Sequence, residues 1–506
     1  MRLIELLSPW IYLPAEFDRE IIGLSIDSRR ILPEQIFIAL IGNELDGREF
    51  IDKALQFGGS VVITEGKDAS VRWYAEPKVP YITLPNLRQL YGAIASRFYG
   101  EPSRSLQVIG VTGTNGKTSC THFIASILSR LGKRCGIIGT LGYGPLGELQ
   151  KTINTTPDAI TIQSVLAKMR DQGFHSVAME VASHALAQHR VTGIHFAASV
   201  FTNLTQDHLD YHGTMENYAE VKKKLFTEVK PRLCVLNGDD AYGQVWIDEL
   251  SQQNTCVYPK QGDESRPCIA AYSVNRHCVN ELAAPCIFVE KARYDQDGIY
   301  AKINSPWGEG EFTVPLLGQF NLSNVLAVIT TLVSLGESLS DVLAQLPRIS
   351  AVKGRMQLVA ATGKPRVIID YAHTPDALEK VLQTLQAYRP KELWCVFGCG
   401  GNRDKTKRPL MGEIASNYAS RIILTDDNRR NETSKDIIAD ISVGLRAGVN
   451  YVIEPDRALA IQYAIAHASS EDMILIAGKG HEEYQEVEGT RHPFSDEEEV
   501  KRCFAS

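Results

Sequence analysis

Short apolar runs recur along the chain, and most of them end in polar or glycine-rich loops. Seven such runs lie in the first half, at residues 36–40, 61–64, 108–111, 136–139, 177–181, 197–201 and 233–236, and four more lie at 367–370, 393–397, 422–424 and 473–476. Helical patterns, such as the one over residues 120–131, alternate with the runs that follow residue 103. This alternation is typical of a mostly parallel β-sheet with helices on both faces. We therefore predict an α/β protein.

A chain of 506 residues predicts about three domains of about 150 residues each. We place them at residues 1–102, 103–349 and 350–506, the first being a small α/β domain. Residues 101–103 are interpreted as the linker that follows it. In open parallel sheets, ligands bind beyond the carboxyl ends of the strands, so the loops at those ends should carry the chemistry.

Composition and charge exclude several classes of protein. Hydrophobic residues make up 44% of the chain and the net charge is −7 without a long basic run, so we expect no nucleic-acid partner. Ten cysteines without a CxxC pair fit reduced thiols better than disulfides or zinc, and Cys395 and Cys399 should be buried. The first residues lack a signal-peptide pattern, and no apolar run reaches 18 residues. We expect a cytoplasmic protein that does not bind membranes.

The segment most informative about chemistry follows the apolar run at 108–111. It consists of Gly113, Thr114, Asn115, Gly116, Lys117, Thr118 and Ser119. Glycines allow backbone NH groups to approach phosphates, a lysine adds a positive charge, and a hydroxyl can bind the Mg²⁺ that bridges the phosphates. The common P-loop has a further glycine where this chain has Val111, so the match is to a shorter variant. A glycine turn without a ligand would need neither the lysine nor the hydroxyl pair, so we favour ATP or GTP binding.

Two further polar side chains follow neighbouring apolar runs. Glu180 lies near the end of the run at 177–181, and His208 follows the run at 197–201. Carboxylate and imidazole at neighbouring strand ends suit a divalent cation shared with nucleotide phosphates. For His212 we favour an ordinary hydrogen-bonded role.

Three consecutive lysines, Lys222, Lys223 and Lys224, lie in the next helical pattern. Lys222 falls four residues after Tyr218 and four before Phe226, so it shares their helix face and should turn inward. Lys223 and Lys224 are interpreted as solvated. The spacing therefore directs one lysine toward the phosphate and metal site.

The chain as a whole resembles the Mur ligases of bacterial cell-wall synthesis. The matching motifs are residues 113–119, 154–156, 179–181, 183–184, 188–190, 207–213, 222, 318–324, 354–356, 370–376, 398–409, 427–430 and 478–482. The resemblance implies an N-terminal domain that binds the uridine end of a muramoyl peptide, a central P-loop ATPase, and a C-terminal Rossmann-like domain that receives an amino acid. It also implies ATP and Mg²⁺ as cofactors, and we expect a monomer.

The resemblance assigns roles to residues by position. Uridine contact is implied for Ser28, and contact with the muramoyl peptide for Thr155, Thr156, Gln188 and Arg190. Contact with adenine is implied for Asn321 and Asn324, and with the ATP phosphates and ribose for Arg355, Asp370 and His373. Family members carbamylate the lysine matching Lys222, which converts a cation into a carboxylate-like metal ligand. The implied metal ligands are Thr118, Glu180, His208 and Lys222, and the implied catalytic residues are Lys117, Glu180, His208 and Lys222.

The added amino acid is chosen by a C-terminal loop in this family. Members that use diaminopimelate have Asp-Asn-Pro-Arg, and this chain has Asp427, Asn428, Arg429 and Arg430. The guanidinium of Arg430 can bind the second carboxylate of meso-diaminopimelate in bidentate fashion, and lysine lacks that carboxylate. The other positions implied around this distal head are Arg403, Gly478 and Glu482. We interpret Arg429, in place of proline, as facing solvent, and L-lysine is the alternative substrate.

The family reaction begins when ATP phosphorylates the free carboxylate of UDP-N-acetylmuramoyl-L-alanyl-D-glutamate, and the diaminopimelate amine then attacks the acyl phosphate. The resemblance implies this reaction here, with hinge motion near Pro102 and Ile349. One alternative is a folylpolyglutamate synthase, against which residues 427–430 and the N-terminal domain argue. Another is an ATP-binding switch or scaffold protein that forms no amide bond.

Overall fold

A computed structural model describes residues 1–42, 45–74, 78–252, 268–275, 283–295 and 298–505. The chain forms two compact units. The first comprises Met1–Ser273, His277–Cys286 and Ala327–Ser338, and the second comprises Val274–Arg276, Ile287–Leu326 and Leu339–Ser506. The predicted boundaries at residues 102 and 349 stay a prediction.

The strands up to residue 273 are β1 (Gly23–Ser25), β2 (Gln35–Ala39), β3 (Val61–Glu65), β4 (Ser70–Trp73), β5 (Pro80–Leu84), β6 (Gln107–Thr112), β7 (Cys135–Gly139), β8 (Gly142–Pro145), β9 (Ser176–Glu180), β10 (Phe196–Phe201), β11 (Leu233–Asn237) and β12 (Cys268–Ser273). The helices of this part are α1 (Leu3–Leu7), α2 (Ile51–Gln56), α3 (Leu87–Phe98), α4 (Lys117–Arg130), α5 (Ala159–Asp171), α6 (Ser183–Ala187), α7 (Leu209–His212), α8 (Met215–Thr227) and α9 (Ala241–Gln252).

The later strands are β13 (Cys286–Asp295), β14 (Gly298–Asn304), β15 (Gly310–Val314), β16 (Gln357–Val359), β17 (Arg366–Asp370), β18 (Leu393–Phe397), β19 (Arg421–Leu424), β20 (Tyr451–Ile453), β21 (Met473–Ala477), β22 (Tyr484–Val487) and β23 (Thr490–Pro493). The later helices are α10 (Gln319–Ser334), α11 (Leu339–Gln345), α12 (Pro375–Ala387), α13 (Lys407–Tyr418), α14 (Ser434–Ser442), α15 (Arg457–His467) and α16 (Asp496–Ala505). Every apolar run named above is confirmed as a strand, within one or two residues at its ends.

The first unit contains two sheets. The N-terminal sheet has the order β1-β2-β3-β5-β4, and its strands are parallel except for β4, which is antiparallel to β5. Its inner face packs on α1 and α3 through leucines and isoleucines such as Leu6, Ile38 and Ile94. In the central sheet the strands of this unit follow the order β12-β11-β10-β6-β9-β7-β8, and only β8 is antiparallel to its neighbour.

Strand β6 lies between β9 and β10 in the central sheet. Because all three strands are parallel, their carboxyl ends meet at one edge, where the loop after β6 begins. Glu180 is the last residue of β9, and Thr202 follows β10 directly. This topology brings polar residues that are far apart in the sequence to the same edge of the central sheet.

The segment interpreted as a linker, residues 101–103, contains a packed turn. Pro102–Arg104 forms a 3₁₀ helix in which Pro102 and Ser103 are buried. The Ser103 hydroxyl oxygen accepts a hydrogen bond from the His195 backbone NH at 3.0 Å, which fixes the segment to the loop before β10. The turn signals of Pro and Ser therefore mark a packed connection.

The second unit contains a six-stranded sheet with the order β16-β17-β21-β18-β19-β20, parallel except for β16. Helices α12, α13 and α14 cover one face, with Leu382 and Met411 buried there, and α15 and α16 cover the other, with Ile461 and Val500 buried. Helices on both faces of a parallel sheet confirm the predicted Rossmann-like architecture. Cys395 and Cys399 are buried, as predicted. Among the described residues, no helix combines the length and apolar character needed to span a membrane.

Candidate functional site

The loop after β6 is a tight turn at the N-terminus of α4. Gly113 has a φ of +147°, and a Cβ atom there would overlap the Thr202 hydroxyl, so only glycine fits. The Lys117 ammonium donates to the carbonyl oxygens of Gly113 at 2.8 Å and Thr114 at 2.9 Å. A lysine folded over the loop at a helix N-terminus is the arrangement that phosphate binding requires.

Two residues just after β10 form hydrogen bonds with this loop, and no role was predicted for them. The side chain of Asn203 accepts from the Asn115 NH at 3.0 Å and donates to the Asn115 carbonyl at 3.2 Å. Thr202 donates to the same carbonyl at 2.6 Å. Their position directly after a strand parallel to β6 was the signal that could have identified them.

Glu180 is fully buried at the end of β9. Its carboxylate accepts hydrogen bonds from the Thr118 hydroxyl at 3.0 Å, the Thr140 NH at 2.8 Å and the Thr140 hydroxyl at 3.1 Å. The Thr140 hydroxyl also lies 3.0 Å from that of Thr155. Glu180 therefore joins the P-loop to the predicted peptide-binding residues, and Thr140, which follows β7, is a further member that sequence reasoning missed.

Lys222 turns inward from α8, as its spacing predicts. Tyr218, Lys222 and Phe226 are each at most 2% exposed. The Lys222 ammonium donates to the Gly113 carbonyl at 2.9 Å and lies 4.6 Å from the centre of the Tyr218 ring. Burial lowers the pKa of Lys222 well below its ordinary value, and the charge of Lys117 lowers it further.

The two neighbouring lysines behave differently from Lys222. Lys223 pairs with Glu249, and Lys224 lies 3.2 Å from Glu228 on the same helix. The Lys224 side chain is 36% exposed, whereas that of Lys223 is 17% exposed. The prediction of a solvated face fits Lys224 better than Lys223, which its acidic partner covers.

Histidines cluster next to this site. The His208 ring lies 4.9 Å from that of His184, and its Nε2 lies 3.4 Å from Asp207. Burial lowers the pKa of His208, and it lowers that of His184 to about 4. Neutral imidazoles keep a lone pair for a metal or a hydrogen bond. His212 is buried and lies 2.9 Å from the Ser183 hydroxyl, which confirms its ordinary hydrogen-bonded role.

The donor set of the site fits Mg²⁺ only in part without modification. Thr118 and Glu180 offer the oxygen atoms that Mg²⁺ prefers. The Lys222 ammonium has no lone pair, so it can become a ligand only after a chemical change. Within the described part of the chain, no three His, Cys, Asp or Glu side chains form a metal cluster by themselves. A Mg²⁺ ion here would rely on Thr118, Glu180, His208, a modified Lys222 and the nucleotide phosphates.

The predicted peptide-binding residues lie beside Glu180. Thr156 donates to the Glu180 carbonyl at 2.8 Å, and its own carbonyl accepts from Arg190 at 2.9 Å. Arg190 also donates to the Gln188 side chain at 2.7 Å. Ser28 lies in the loop after β1 and is 6% exposed.

The predicted adenine and ribose residues belong to the second unit. Asn321 donates to the Leu317 carbonyl at 2.9 Å, and Asn324 donates to Asn321 at 3.3 Å, both from α10. The same unit contains a second group of predicted residues, Arg355, Asp370 and His373.

Asp370 is the buried member of that group. Its carboxylate accepts from two backbone NH groups at 2.7 and 2.8 Å. Burial raises its pKa, and Arg355 opposes the rise. The Arg355 guanidinium lies 4.5 Å from the centre of the Tyr371 ring, and His373 Nδ1 lies 2.8 Å from the Tyr371 carbonyl. These contacts hold Arg355 and His373 next to Tyr371.

The residues predicted for the distal head of the amino acid converge after β18, β19 and β21. Arg403 and Arg430 both lie next to Gly400, where a Cβ atom would be 3.8 Å from Arg403 Cγ and 3.1 Å from Arg430 Nη1. Arg430 donates to the Gly401 carbonyl at 2.8 Å, with Glu486 3.5 Å away. A Cβ atom at Gly478 would lie 2.5 Å from Asp427 Oδ2, so these two residues are also in contact.

Lys479 connects this group and was not predicted. It is fully buried, and its ammonium donates to Asn428 and to Glu482, both at 3.1 Å. Asn428 donates to the same Glu482 oxygen at 2.8 Å. Its place between two glycines in the motif was the available signal, although lysine is rarely buried.

The interpretation of Arg429 as facing solvent was partly wrong. Its side chain is 27% exposed, lies 3.8 Å from Glu488 and donates to the Glu432 carbonyl at 3.4 Å. Glu488 itself is largely exposed, so this pair lies at the surface. Arg429 therefore contacts Glu432 and Glu488, whereas Arg430 lies next to Gly400.

A P-loop next to a buried glutamate and a buried lysine, on a parallel sheet with a second Rossmann-like sheet, defines a nucleotide-binding α/β protein of several domains. Three family models match the chain in order: "Mur ligase family, catalytic domain" at residues 20–99, "Mur ligase middle domain" at 111–332, and "Mur ligase, glutamate ligase domain" at 354–480. The chain belongs to the Mur ligase family.

Similar proteins extend this match over nearly the full length. The UDP-N-acetylmuramoyl-L-alanyl-D-glutamate–2,6-diaminopimelate ligase of Pseudomonas aeruginosa is 45% identical over 492 residues, covering 97% of this chain and 96% of the relative. The ligase of the same name from Chromobacterium violaceum is 46% identical over 472 residues, or 93% and 91% of the two chains. A solved structure of a ligase of that name aligns with a TM-score of 0.71 and 35% identity over 100% of this chain and 99% of its own. The family and fold class predicted from the motifs are confirmed.

Proposed function

We propose that this protein is the ATP-dependent ligase that joins meso-2,6-diaminopimelate to UDP-N-acetylmuramoyl-L-alanyl-D-glutamate in peptidoglycan precursor synthesis, releasing ADP and phosphate. The relatives named above support the reaction. The observation that carries the choice of amino acid is the pair Arg403 and Arg430 next to Gly400. We place the protein in the cytoplasm, where ATP and nucleotide-linked precursors are found, as a monomer.

The distal head of diaminopimelate has one carboxylate and one ammonium group. Two guanidinium groups suit the carboxylate, since arginine binds it with parallel hydrogen bonds. The second oxygen of Glu482 can accept from the ammonium, because Asn428 and Lys479 already bond to the first. L-lysine ends in an ammonium alone and would offer the two arginines no carboxylate to bind.

The residues proposed to contact ATP would bind and orient the nucleotide and neutralise the charge of its phosphates. Lys117 and the loop after β6 would bind the phosphates, and Asn321, Asn324, Arg355, Asp370 and His373 are the proposed nucleoside and phosphate contacts of the second unit. When bound, Mg²⁺ supplies further neutralisation of the phosphates. Thr118, Glu180, His208 and a modified Lys222 would hold it.

Carbamylation of Lys222 is part of this proposal. A lowered pKa leaves more of the amine neutral, and a neutral amine can attack CO₂. The new N–C bond forms as the nitrogen releases a proton to solvent, which yields a carbamate anion. The Lys222 side chain, which contacts the Gly113 carbonyl, thus becomes an anionic oxygen donor suited to Mg²⁺.

The proposed reaction is a phosphoryl transfer followed by an acyl transfer. The terminal phosphoryl group of ATP moves to the free carboxylate of the D-glutamyl residue, and ADP leaves. The diaminopimelate amine attacks the acyl phosphate, and phosphate leaves as the amide forms. Thr155, Thr156, Gln188 and Arg190 would orient the muramoyl peptide, and Ser28 would contact its uridine. Such catalysis depends on positioning and charge stabilisation, and the site offers both.

Phosphate release tests the proposal. The protein, ATP and Mg²⁺ are incubated with the muramoyl dipeptide alone, with meso-diaminopimelate alone, or with both. We expect release only with both substrates, together with a tripeptide product detected by mass spectrometry. Release that does not require the amino acid would support a nucleotide switch instead, and preference for L-lysine in place of diaminopimelate would refute the role of Arg430.

A further inference from the structure

Arg457 is a fully buried arginine at the start of α15, and its guanidinium makes four hydrogen bonds. Two go to Asp496 of α16, at 2.7 and 2.9 Å, and the Asp496 side chain is also fully buried. The other two go to backbone carbonyls, that of Ala477 at 3.0 Å and that of Asp426 at 3.3 Å. The Asp496 pair neutralises the charge, which leaves the other donors free to bind the backbone.

These two carbonyls lie at the carboxyl ends of strands that are not neighbours. Ala477 ends β21 and precedes Gly478, whereas Asp426 follows β19 and precedes Asp427. Strand β18 lies between them, because it pairs with β21 on one side and β19 on the other. Strands two places apart are about 10 Å from each other, beyond direct backbone pairing. Arg457 bridges that separation at the edge where the proposed amino-acid site lies.

The loops that follow these carbonyls meet each other. Gly478 lies against the Asp427 carboxylate, and Asn428 is bonded to Glu482. The Arg457 charge is also within electrostatic range of Asp427 and Glu482. A change in the separation of the β19 and β21 ends would therefore move Asp427 and Asn428 relative to Gly478 and Glu482.

We propose that Arg457, held by Asp496, is a positioning residue that sets the geometry of the distal-head site and thereby the preference for diaminopimelate. This inference rests on the proposed function. Arg457 acts through the two backbone segments it joins and does not itself bind the amino acid. Arginine is required because its planar fork presents donors in several directions, whereas one lysine ammonium cannot reach Asp496 and both carbonyls together.

The test compares Arg457→Lys with a matched control, Arg421→Lys. Arg421 begins β19 at the opposite end of the same strand, where it pairs with Glu392 at 2.8 Å. For each protein we would measure kcat and KM for meso-diaminopimelate and for L-lysine, KM for ATP, and the melting temperature. A second variant, Asp496→Asn, weakens the ion pair that holds Arg457 in place.

We expect Arg457→Lys to raise KM for diaminopimelate by about tenfold or more, since small displacements of binding groups are costly. The ratio of kcat/KM for diaminopimelate to that for L-lysine should fall by a similar factor, while KM for ATP stays within about twofold. Asp496→Asn should change the ratio in the same direction, and Arg421→Lys should leave it unchanged. An unchanged ratio in Arg457→Lys, even with a lower melting temperature, would show a purely structural role and overturn the inference.

A double variant, Arg457→Met with Asp496→Leu, decides the matter if Arg457→Lys does not fold. It removes both buried charges together, and well-packed apolar pairs often replace buried ion pairs without loss of stability. A lowered substrate ratio in the folded double variant supports the inference, and a wild-type ratio refutes it. If the wild-type protein itself shows no preference for diaminopimelate, the proposed function fails, which distinguishes that failure from loss of the positioning role alone.

Discussion

Lys222 is the residue on which the chemistry of the first unit most depends. Its burial places an amine against the Gly113 carbonyl, next to the loop that Lys117 covers. Burying a lysine is unfavourable, and burial lowers its pKa as the physical consequence. An unfavourably buried lysine with a lowered pKa, next to a phosphate-binding loop, indicates a functional role.

Replacing Lys222 with alanine should lower kcat by about 100-fold or more, because a proposed ligand of the Mg²⁺ that neutralises the phosphates is lost. Lys224→Ala, two positions along the same helix with a surface ion pair, is the control and should stay within about twofold of the wild type. In ¹³C NMR with labelled bicarbonate, the wild type should show a carbamate signal that Lys222→Ala lacks. Full activity of Lys222→Ala would contradict the proposed metal site.

Arg430 and Arg429 are adjacent arginines with different surroundings. Arg430→Lys should lower kcat/KM for diaminopimelate by about 10- to 100-fold, because a lysine cannot bind a carboxylate in bidentate fashion. Arg429→Lys should change it by less than about threefold, since Arg429 lies near Glu488 at the surface. Steady-state kinetics with varied diaminopimelate checks both values. Equal effects of the two substitutions would argue against the assignment of Arg430.

At the scale of elements, two loops of the second unit depend on an ion pair. Glu432 accepts two hydrogen bonds from the buried Arg408, at 2.9 and 3.0 Å, and one from the Asn402 backbone NH. Arg408 also donates to the Gly400 carbonyl. The pair therefore fastens the loop after β18 to the loop after β19, on which Arg403 and Arg430 lie.

This pair predicts a pH-dependent stability. The hydrogen bonds from Arg408 lower the pKa of Glu432 to about 2, below its ordinary value of 4.5. Because the folded-state pKa is depressed, the stabilisation is complete above about pH 4.5 and is lost as the pH falls toward 2. Glu432→Gln should lower the free energy of unfolding by about 2 kcal/mol at pH 7.

Urea unfolding of wild type and Glu432→Gln at pH 7 and pH 3 measures this difference. It should be smaller at pH 3 than at pH 7. Glu471→Gln, which removes a largely exposed carboxylate 3.7 Å from Lys391, is the control and should change stability little at either pH. A difference that stays constant or grows on acidification would contradict the ion-pair account.

Local patterns predicted most elements and part of the site. Apolar runs identified the parallel strands, and spacing by four residues placed Lys222 on the buried face of α8. Both signals are short-range, so the sequence contains them directly. Arg457 and Asp496 are 39 residues apart in sequence and meet only because α15 and α16 pack on one face of the sheet. Pairings that depend on topology have no local pattern, and so this pair was missed.

At the scale of the whole molecule, the family models follow one another from residue 20 to residue 480 in the order that the motifs predicted. The two compact units divide the proposed site residues between them: Lys117, Glu180 and Lys222 belong to the first, and Arg355, Arg403 and Arg430 to the second. The whole chain is therefore the unit on which function should be measured.

The central claim is that ATP activates the D-glutamyl carboxylate of the muramoyl dipeptide for attack by diaminopimelate. Transfer of oxygen tests it most directly. Dipeptide substrate labelled with ¹⁸O in that carboxylate is converted with ATP, Mg²⁺ and diaminopimelate, and the phosphate is examined by mass spectrometry. An acyl phosphate intermediate predicts one ¹⁸O atom in each phosphate formed, whereas unlabelled phosphate would show that water attacks ATP and would contradict the account.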